Sequence, residues 1–369
     1  PVRVECARSI AGKPLPPVPA GLPPSAVTIC LMYQYVEPSW SPAQHRRALA
    51  STIALADRHG VTGRGRCAPE GLNCTLTGSA EGMRAFCAGL RELDPVFERT
   101  DFKMTDGLEP SQKFRAFSLR KTDELVNYGL EGEKAPSLAH AGEHLEAHEY
   151  HERLKNPNAV VIDVRNHYEC AIGRLQPPEG GAQFLDPQMR NSSDFPKWLH
   201  APETREKLKG KEVLMYCTGG IRCERATALL GQISKVEGLE TQGVSMVRGG
   251  IERYLRTFPE GGFWKGRNYL FDRRMEQAPE EKDPAKVDAE VAETAKCCAC
   301  ATPWTTYRGQ WKCGDGGCRV PVIVCTKCAA PGGRAERSPG ELRCPLCSGG
   351  YVAPAAMPDL VGHKRRLGE

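Results

Sequence analysis

Cys217 closes an apolar run, Val213 to Tyr216, and is followed by Thr218-Gly219-Gly220-Ile221-Arg222-Cys223-Glu224. The apolar run reads as a buried strand and Arg222 to Leu230 as a helix, which places the cysteine in a strand-to-helix turn. There, the amide groups of the loop and the positive end of the helix dipole both favour thiolate over thiol. A free thiol titrates near 8.5; such surroundings bring that down to roughly 3.5–7.5, which gives an ionised nucleophile at neutral pH. An inert core cysteine has no need of two glycines and an arginine behind it. Two chemistries use a cysteine in such an anion cradle, phosphate-ester cleavage and sulfur transfer. The first places an arginine six positions after the nucleophile; here Cys223 stands at six and Arg222 at five, which argues against it.

A second group of cysteines follows a different logic. Nine of the chain's 17 cysteines fall between Cys297 and Cys347, while the others are scattered. Cys297 and Cys300, Cys313 and Cys318, Cys325 and Cys328, and Cys344 and Cys347 make four ligand pairs, with Cys298 left over. Tetrahedral zinc takes four thiolates, so eight ligands imply two structural zinc ions. First-with-third and second-with-fourth pairing would give a cross-brace, and sequential pairing two ribbons; both fit the spacing. So short a segment needs its metal to fold. The pattern belongs to metal binding in a reducing compartment rather than to a secreted disulfide scaffold.

These groups need elements to hold them. At 369 residues the chain is too long for one ordinary core, so several domains are expected. Residues 1–24 are rich in Pro, Gly and Ala and read as a flexible arm. Val27 to Val36 reads as a strand, Ser41 to His59 as a helix, Val61 to Arg66 and Leu72 to Leu76 as a strand pair, and Ser79 to Leu93 as a helix. With strands at Phe102 to Met104 and Phe114 to Ser118, this is a ferredoxin-like α+β order for a domain over 25–129. After a polar linker, Leu130 to Ala141, a helix is expected over Gly142 to Lys155. Buried-type strands follow at Val160 to Val164, Val213 to Tyr216 and Val244 to Val247, an alternation that predicts a parallel-sheet α/β domain over 141–275. Its functional loops belong at the carboxyl ends of the strands, where Cys217 falls. Residues 276–296 read as a charged linker, 297–350 as the two-zinc module and 351–369 as a solvated basic tail around Lys364-Arg365-Arg366.

A net charge of +5 permits a nucleic-acid partner without demanding one. No stretch approaches the ~18–20 apolar residues of a membrane span, so a soluble protein is expected. The chain opens at Pro1 with neither Met nor a signal-peptide pattern, which suggests a trimmed leader. A cytoplasmic location is expected, an organellar one being the alternative.

Several strings together carry a family resemblance. Val161-Ile162-Asp163-Val164-Arg165 with Tyr168-Glu169, and Val247-Arg248-Gly249-Gly250-Ile251, resemble the opening and closing signatures of rhodanese domains. The Cys217 loop, Phe184-Leu185-Asp186-Pro187, Phe195-Pro196-Lys197-Trp198 and Gly249 to Leu255 resemble more particularly the bacterial tRNA uridine hydroxylase family. So do Glu70-Gly71-Leu72-Asn73 and Gly266 to Arg274, and the extended cysteine tail is closer to the eukaryotic branch of rhodanese-domain-containing proteins. Two departures stand out. Gln176 to Gln183 lengthens a loop, and Cys67 and Cys74 replace aliphatic or small residues, most simply as core filling.

The resemblance implies oxygen-dependent conversion of the tRNA wobble uridine to 5-hydroxyuridine. Cys217 would act as nucleophile, with Arg222 holding a phosphate or a developing anion, and Asp163 and Arg165 supporting the loop. Cys223 could resolve an oxidised Cys217 or simply be the first buried residue of the helix. Glu70 and Asn73 would contact substrate. Arg248, Arg253, Arg256, Lys265, Arg267, Arg273 and Arg274, interleaved with Tyr254, Phe263, Trp264 and Tyr269, would supply cations and stacking groups for tRNA. Arg64 and Arg66 lie on the strand leading to the Glu70 turn. There is no flavin or nicotinamide fingerprint and no two-His-one-carboxylate iron site. Two other readings stand beside this one. One is a persulfide or thiosulfate sulfurtransferase. The other is a zinc-dependent, non-catalytic adaptor with a vestigial rhodanese domain, its zinc module binding a protein partner.

Overall fold

The computed structural model describes residues 14–130, 132–272 and 274–352. Most of the expected arm, nearly all of the basic tail and Arg273 lie outside the described residues. Among the described residues no helix is long and apolar enough to cross a membrane. The chain divides into two compact units, the first holding residues 1–132, 137–139 and 271–274 and the second nearly all of the rest.

In the first unit, β1 (Val27–Tyr35), α1 (Pro42–Arg58), β2 (Thr62–Ala68), β3 (Gly71–Gly78), α2 (Ala80–Leu93) and β4 (Lys103–Leu108) follow the expected ferredoxin-like order. A further strand, β5 (Phe117–Lys121), completes a sheet of order β4-β1-β3-β2-β5, in which only the β2–β5 pair is parallel. Local chemistry sets the helix starts. Ser41 and Gln44 form a reciprocal capping box ahead of Pro42, and Ser79 accepts from the Gly82 amide at 3.0 Å. Met83, Phe86, Cys87 and Leu90 recur at helical spacing on α2 and are fully buried against Cys30, Met32, Leu72 and Leu76 of the sheet. Cys67 and Cys74 do fill this core, and burial pushes both thiols up to about 12. Gly71 has φ +134°, and a Cβ there would stand 1.9 Å from the Gln34 carbonyl oxygen, so the β2–β3 turn requires glycine.

The second unit is built on a five-stranded parallel sheet. Its strands are β6 (Glu143–Leu145), β7 (Ala159–Asp163), β9 (Gln183–Leu185), β10 (Glu212–Tyr216) and β11 (Gly243–Val247), in the order β6-β11-β10-β7-β9. Every residue of β7 and β10 is buried, as expected of central strands covered on both faces. The chain order also includes α3 (Ala147–Arg153), α4 (His167–Ile172), β8 (Gly173–Leu175), α5 (Asp194–His200), α6 (Pro202–Leu208), α7 (Ile221–Glu237) and α8 (Gly250–Thr257). The helix expected from Gly142 begins only at Ala147. Glu143–Leu145 instead extends the sheet by pairing with Ser245–Val247, because an open edge of β11 offers backbone partners there.

The segment expected as a linker after residue 275 is packed instead. Following β12 (Trp264–Gly266), β13 (Asn268–Tyr269), β14 (Glu276–Gln277) and α9 (Pro284–Ala289), the side chains of Val287, Val291 and Ala295 are fully buried. Val291 and Ala295 share one apolar cluster with Tyr168 and Ile172 of α4 and with Tyr307, Val322, Val324, Ala335 and Leu342 of the tail. Few apolar residues, spaced four apart, were enough to seat a charged stretch. The tail hairpin, β15 (Tyr307–Lys312) with β16 (Pro321–Ile323), joins the same cluster.

Candidate functional site: a cysteine thiolate cradle and two cysteine tetrads

Cys217 sits at the carboxyl end of β10 and is fully buried. The loop turns through Gly220, whose φ of 103° frees its N–H to donate to the Cys217 Sγ at 3.1 Å. Burial alone would raise this thiol's pKa. A hydrogen bond from the Cys223 thiol, the charge of Arg222 and the amides of Arg222 and Cys223 outweigh that, and the pKa falls to about 5. Cys223, buried in the first turn of α7, is correspondingly pushed up, by burial first and then by its bond to Cys217. It is thus both a buried helix residue and a hydrogen-bond partner of the nucleophile. Beside Gly219, a Cβ would meet nothing within 4 Å, so this side of the loop opens onto free space.

α8 closes the loop from behind. The Ile251 and Glu252 amides donate to the carbonyls of Cys217 and Thr218, each at 3.0 Å. Gly250 has φ +71°, and a Cβ on it would lie 2.5 Å from the Thr218 carbonyl oxygen. The Gly249-Gly250 signature is therefore the condition for the loop and α8 to touch.

Arg222 does not point free at an incoming anion, as the sequence reading expected. Its guanidinium grips the carboxylate of Glu169 with two bonds, 2.6 and 2.9 Å, and donates to the Thr218 hydroxyl at 3.1 Å. Both side chains are buried. The sequence carries no signal for this role of Glu169, because nothing local ties it to an arginine 53 positions on. Asp163 and Arg165 form a second, fully buried pair at the end of β7. Asp163 also accepts from the Tyr216 hydroxyl at 2.8 Å, and Arg165 donates to the Gly173 carbonyl at 2.6 Å. This pair fastens the ends of β7 and β10 together.

The other expected substrate contacts separate into kinds. Glu70 is buried, and its carboxylate accepts from the Leu125 amide at 2.6 Å, pinning the chain that follows β5. Asn73 is half-buried on β3, opposite Tyr33 and Arg66. Arg248 pairs with Glu146 at 2.7 Å, Arg256 with Glu252 at 2.9 Å, Lys265 with Glu290 at 3.2 Å and Arg267 with Asp288 at 2.7 Å. Arg253 is half-buried, its side chain folded over Gly249. Arg274 pairs with Asp272 at 2.7 Å in the first unit. Tyr254 and Trp264 are fully buried and cannot stack on bases; cations alternate with aromatics in a packed segment as readily as on a surface. Phe263 stacks on His151, with centroids 4.1 Å apart.

The tail thiols gather in two groups. Cys297, Cys300, Cys325 and Cys328 have sulfurs within 4.8 Å of one another, and so do Cys313, Cys318, Cys344 and Cys347. The interleaved pairing is the cross-brace. Sulfur separations such as Cys300–Cys325 at 3.7 Å and Cys318–Cys344 at 3.8 Å are far too long for disulfides. They match the ~3.8 Å edge of a tetrahedron of sulfurs around a metal at ~2.3 Å. Both tetrads can hold a metal ion. The Arg190 guanidinium donates to the Cys347 Sγ at 2.9 Å, and the Tyr351 hydroxyl donates to Asp194 at 3.1 Å. Nearer the nucleophile, the Tyr307 hydroxyl donates to the Tyr168 carbonyl at 2.6 Å, and Tyr168, Tyr269 and Tyr307 meet edge to face. The tail is thus docked on the helix that carries Glu169.

Comparison with known proteins accords with this geometry. Residues 27–125 match the UPF0176 acylphosphatase like domain, residues 146–257 the Rhodanese-like domain and residues 265–347 the family described as Rhodanase C-terminal. The tRNA uridine(34) hydroxylase of Arthrobacter sp. (strain FB24) is 32% identical over 300 residues, covering 79% of this chain and 90% of that protein. The tRNA uridine(34) hydroxylase of Bacillus pumilus is 34% identical over 252 residues, 67% of this chain and 70% of that one. Rhodanese-like domain-containing protein 6 of Arabidopsis thaliana is 34% identical over 288 residues, 74% of this chain, which spans only 46% of that longer relative. Identity above 30% over most of both chains, together with the matched UPF0176 and rhodanese-like domains, assigns the chain to the tRNA uridine(34) hydroxylase family of rhodanese-domain enzymes.

Proposed function

We propose that this protein hydroxylates the wobble uridine of tRNA to 5-hydroxyuridine, with molecular oxygen as oxidant and Cys217 as nucleophile. The observation that carries the reading is a thiolate with a pKa of about 5, held by amides at the end of a parallel strand, in a chain matched over most of its length to enzymes of that name. The thiolate adds to C6 of uracil, and the electron pair passes to C5 as an enolate. C5 then bonds to oxygen, and two external thiols, oxidised to a disulfide as they give up two electrons and two protons, cleave the O–O bond, leaving the 5-hydroxyl and releasing water. Loss of the C5 proton and departure of the Cys217 thiolate restore the 5,6 double bond. In this scheme Arg222 acts as a fixed charge that keeps the thiolate ionised, and Glu169 as the group that fixes Arg222. Asp163 and Arg165 hold the strand ends. The tail thiolates would hold two zinc ions that fold the segment against α4 and supply no step of the reaction.

Nucleoside mass spectrometry tests this on tRNA from cells lacking the protein, complemented with wild type or Cys217→Ser. Restoration of 5-hydroxyuridine by wild type alone is expected. An unchanged profile would sink the hydroxylase reading, and persulfide transfer from Cys217 would become the next assay.

A further inference from the structure

In the segment richest in cations and aromatics, residues 248–274, most of the described cations are already paired. Arg248, Arg256, Lys265, Arg267 and Arg274 each face a carboxylate within hydrogen-bond or ion-pair distance. A cation neutralised by the protein's own acid has no charge left with which to displace counterions from RNA. The first unit holds the opposite arrangement. Arg64 and Arg66 on β2 pair in register with Ser118 and Arg120 on the parallel edge strand β5. Side chains alternate across a strand, so these four share one face, while Phe117 and Leu119 turn to the helices and pack on the core. Arg64, Arg66 and Arg120 are all exposed, as are Lys113 and Arg115 just before β5 and Lys121 at its end.

Among the described residues none of these six cations is paired with a carboxylate. The partners that Arg64 and Arg66 do have are neutral. Arg64 donates to the Phe271 carbonyl and lies over the Phe114 ring at 5.7 Å, and Arg66 reaches the Leu125 carbonyl at 3.5 Å. Glu124, the nearest buried acid in sequence, spends its carboxylate on the Gly129 and Leu130 amides. Uncompensated guanidinium groups, fixed by a ring and by carbonyls on a rigid sheet, are what a phosphodiester backbone binds.

We propose that the outward face of β2 and β5, centred on Arg64, Arg66 and Arg120, is the surface on which the tRNA backbone docks. This rests on the tRNA reading above and moves its main anchor away from residues 248–274. The competing explanation is that charge on an edge strand only keeps other strands from pairing with it. On that account tRNA affinity does not depend on these arginines.

The test is tRNA binding by the full chain, measured by fluorescence anisotropy across a salt series. Wild type, R64Q/R66Q/R120Q and R64K/R66K/R120K are compared, each checked for an unchanged circular dichroism spectrum and melting midpoint. Each lost phosphate contact lowers the slope of log affinity against log salt by roughly 0.7–0.9, so the glutamine triple should lose about 2–3 from that slope. Its affinity at 0.1 M salt should fall on the order of 10²-fold. The lysine triple should recover the slope. A folded glutamine triple with wild-type slope and affinity, or a lysine triple that recovers nothing, overturns the surface while leaving the hydroxylase reading standing. If wild type itself binds tRNA no better than an unstructured polyanion, surface and reading fall together.

Discussion

Two groups of cysteines in the second unit stabilise thiolate by different means. At Cys217 one sulfur is surrounded by donors that the backbone fixes in place: the Gly220 amide, the Cys223 thiol and the start of α7. In the tail, eight sulfurs converge four by four; Arg190 and a few amides donate to them, but thiolates packed this closely are stable only around a cation. The first arrangement leaves the lone pairs of the sulfur available for chemistry. The second uses them up in holding a fold. In the proposed function Cys217 is a nucleophile whose thiolate is stabilised by Cys223, Arg222 and the loop amides, and the tail cysteines are structural ligands stabilised by a metal.

Metal removal should break the comparison most visibly. Cys325→Ser, or chelation of the full chain, should forfeit a coupled binding and folding energy on the order of 10–16 kcal/mol per site. The tail beyond Cys297 should then become protease-sensitive, with bound zinc falling from two ions to one or none by elemental analysis. Cys217 should still alkylate as a thiolate; if its reactivity disappears with the metal, the two groups are not independent.

Glu169→Gln should have the next largest effect. It leaves Arg222 charged and buried without its carboxylate, a loss of about 3–5 kcal/mol in urea denaturation. Gly250→Ala should cost roughly 1–3 kcal/mol by the same measurement, through strain at φ +71° and a clash with the Thr218 carbonyl, and should lower activity because the loop must shift. A variant as stable and active as wild type would show that α8 does not hold the loop.

The smallest effect sharpens the comparison from the other side. Iodoacetamide alkylation of Cys217 should be near its plateau at pH 7 and decline as pH falls through about 5, where the thiolate takes up a proton. The depressed pKa also means that the folded state loses stability as pH falls from about 9, the ordinary thiol value, to about 5, since over that range only the unfolded chain binds the proton. Cys223→Ala removes one donor to the thiolate and should raise the alkylation midpoint by about one pH unit, a loss of ~1.4 kcal/mol. An unchanged midpoint would mean that the amides and Arg222 suffice.

Much of this was legible because it is local. A strand, two glycines and a helix around Cys217 lie within one short run, and so do the patterns of the helices at Ser41 to His59 and Ser79 to Leu93. The element order of the first unit follows from such pieces. What escaped detection is held across long separations. Glu169 meets Arg222 only because β7 and β10 are neighbours in register. Each cysteine pair announces itself, but which pairs share an ion depends on how β15 folds back on β16. Trp264 and Tyr254 misled because a cation beside an aromatic looks the same whether the ring faces water or the core. Glu70 sits in a turn, where an acid is ordinarily solvated, and its bond to the Leu125 amide could not be seen from its neighbours.

The interleaving of the tetrads also orders events in time. The first site has all four ligands once Cys328 has been synthesised, whereas the second waits for Cys347. A chain growing from its N-terminus can therefore seat one ion while Cys313 and Cys318, within the same stretch, still lack the other two ligands of their tetrad. Translation that stops between residues 329 and 343 would yield a product with one ion, no Arg190–Cys347 bond and an incomplete tail core. In that sense Cys344 and Cys347 work as a latch, set only after the sheet and α4 on which the tail packs have been made.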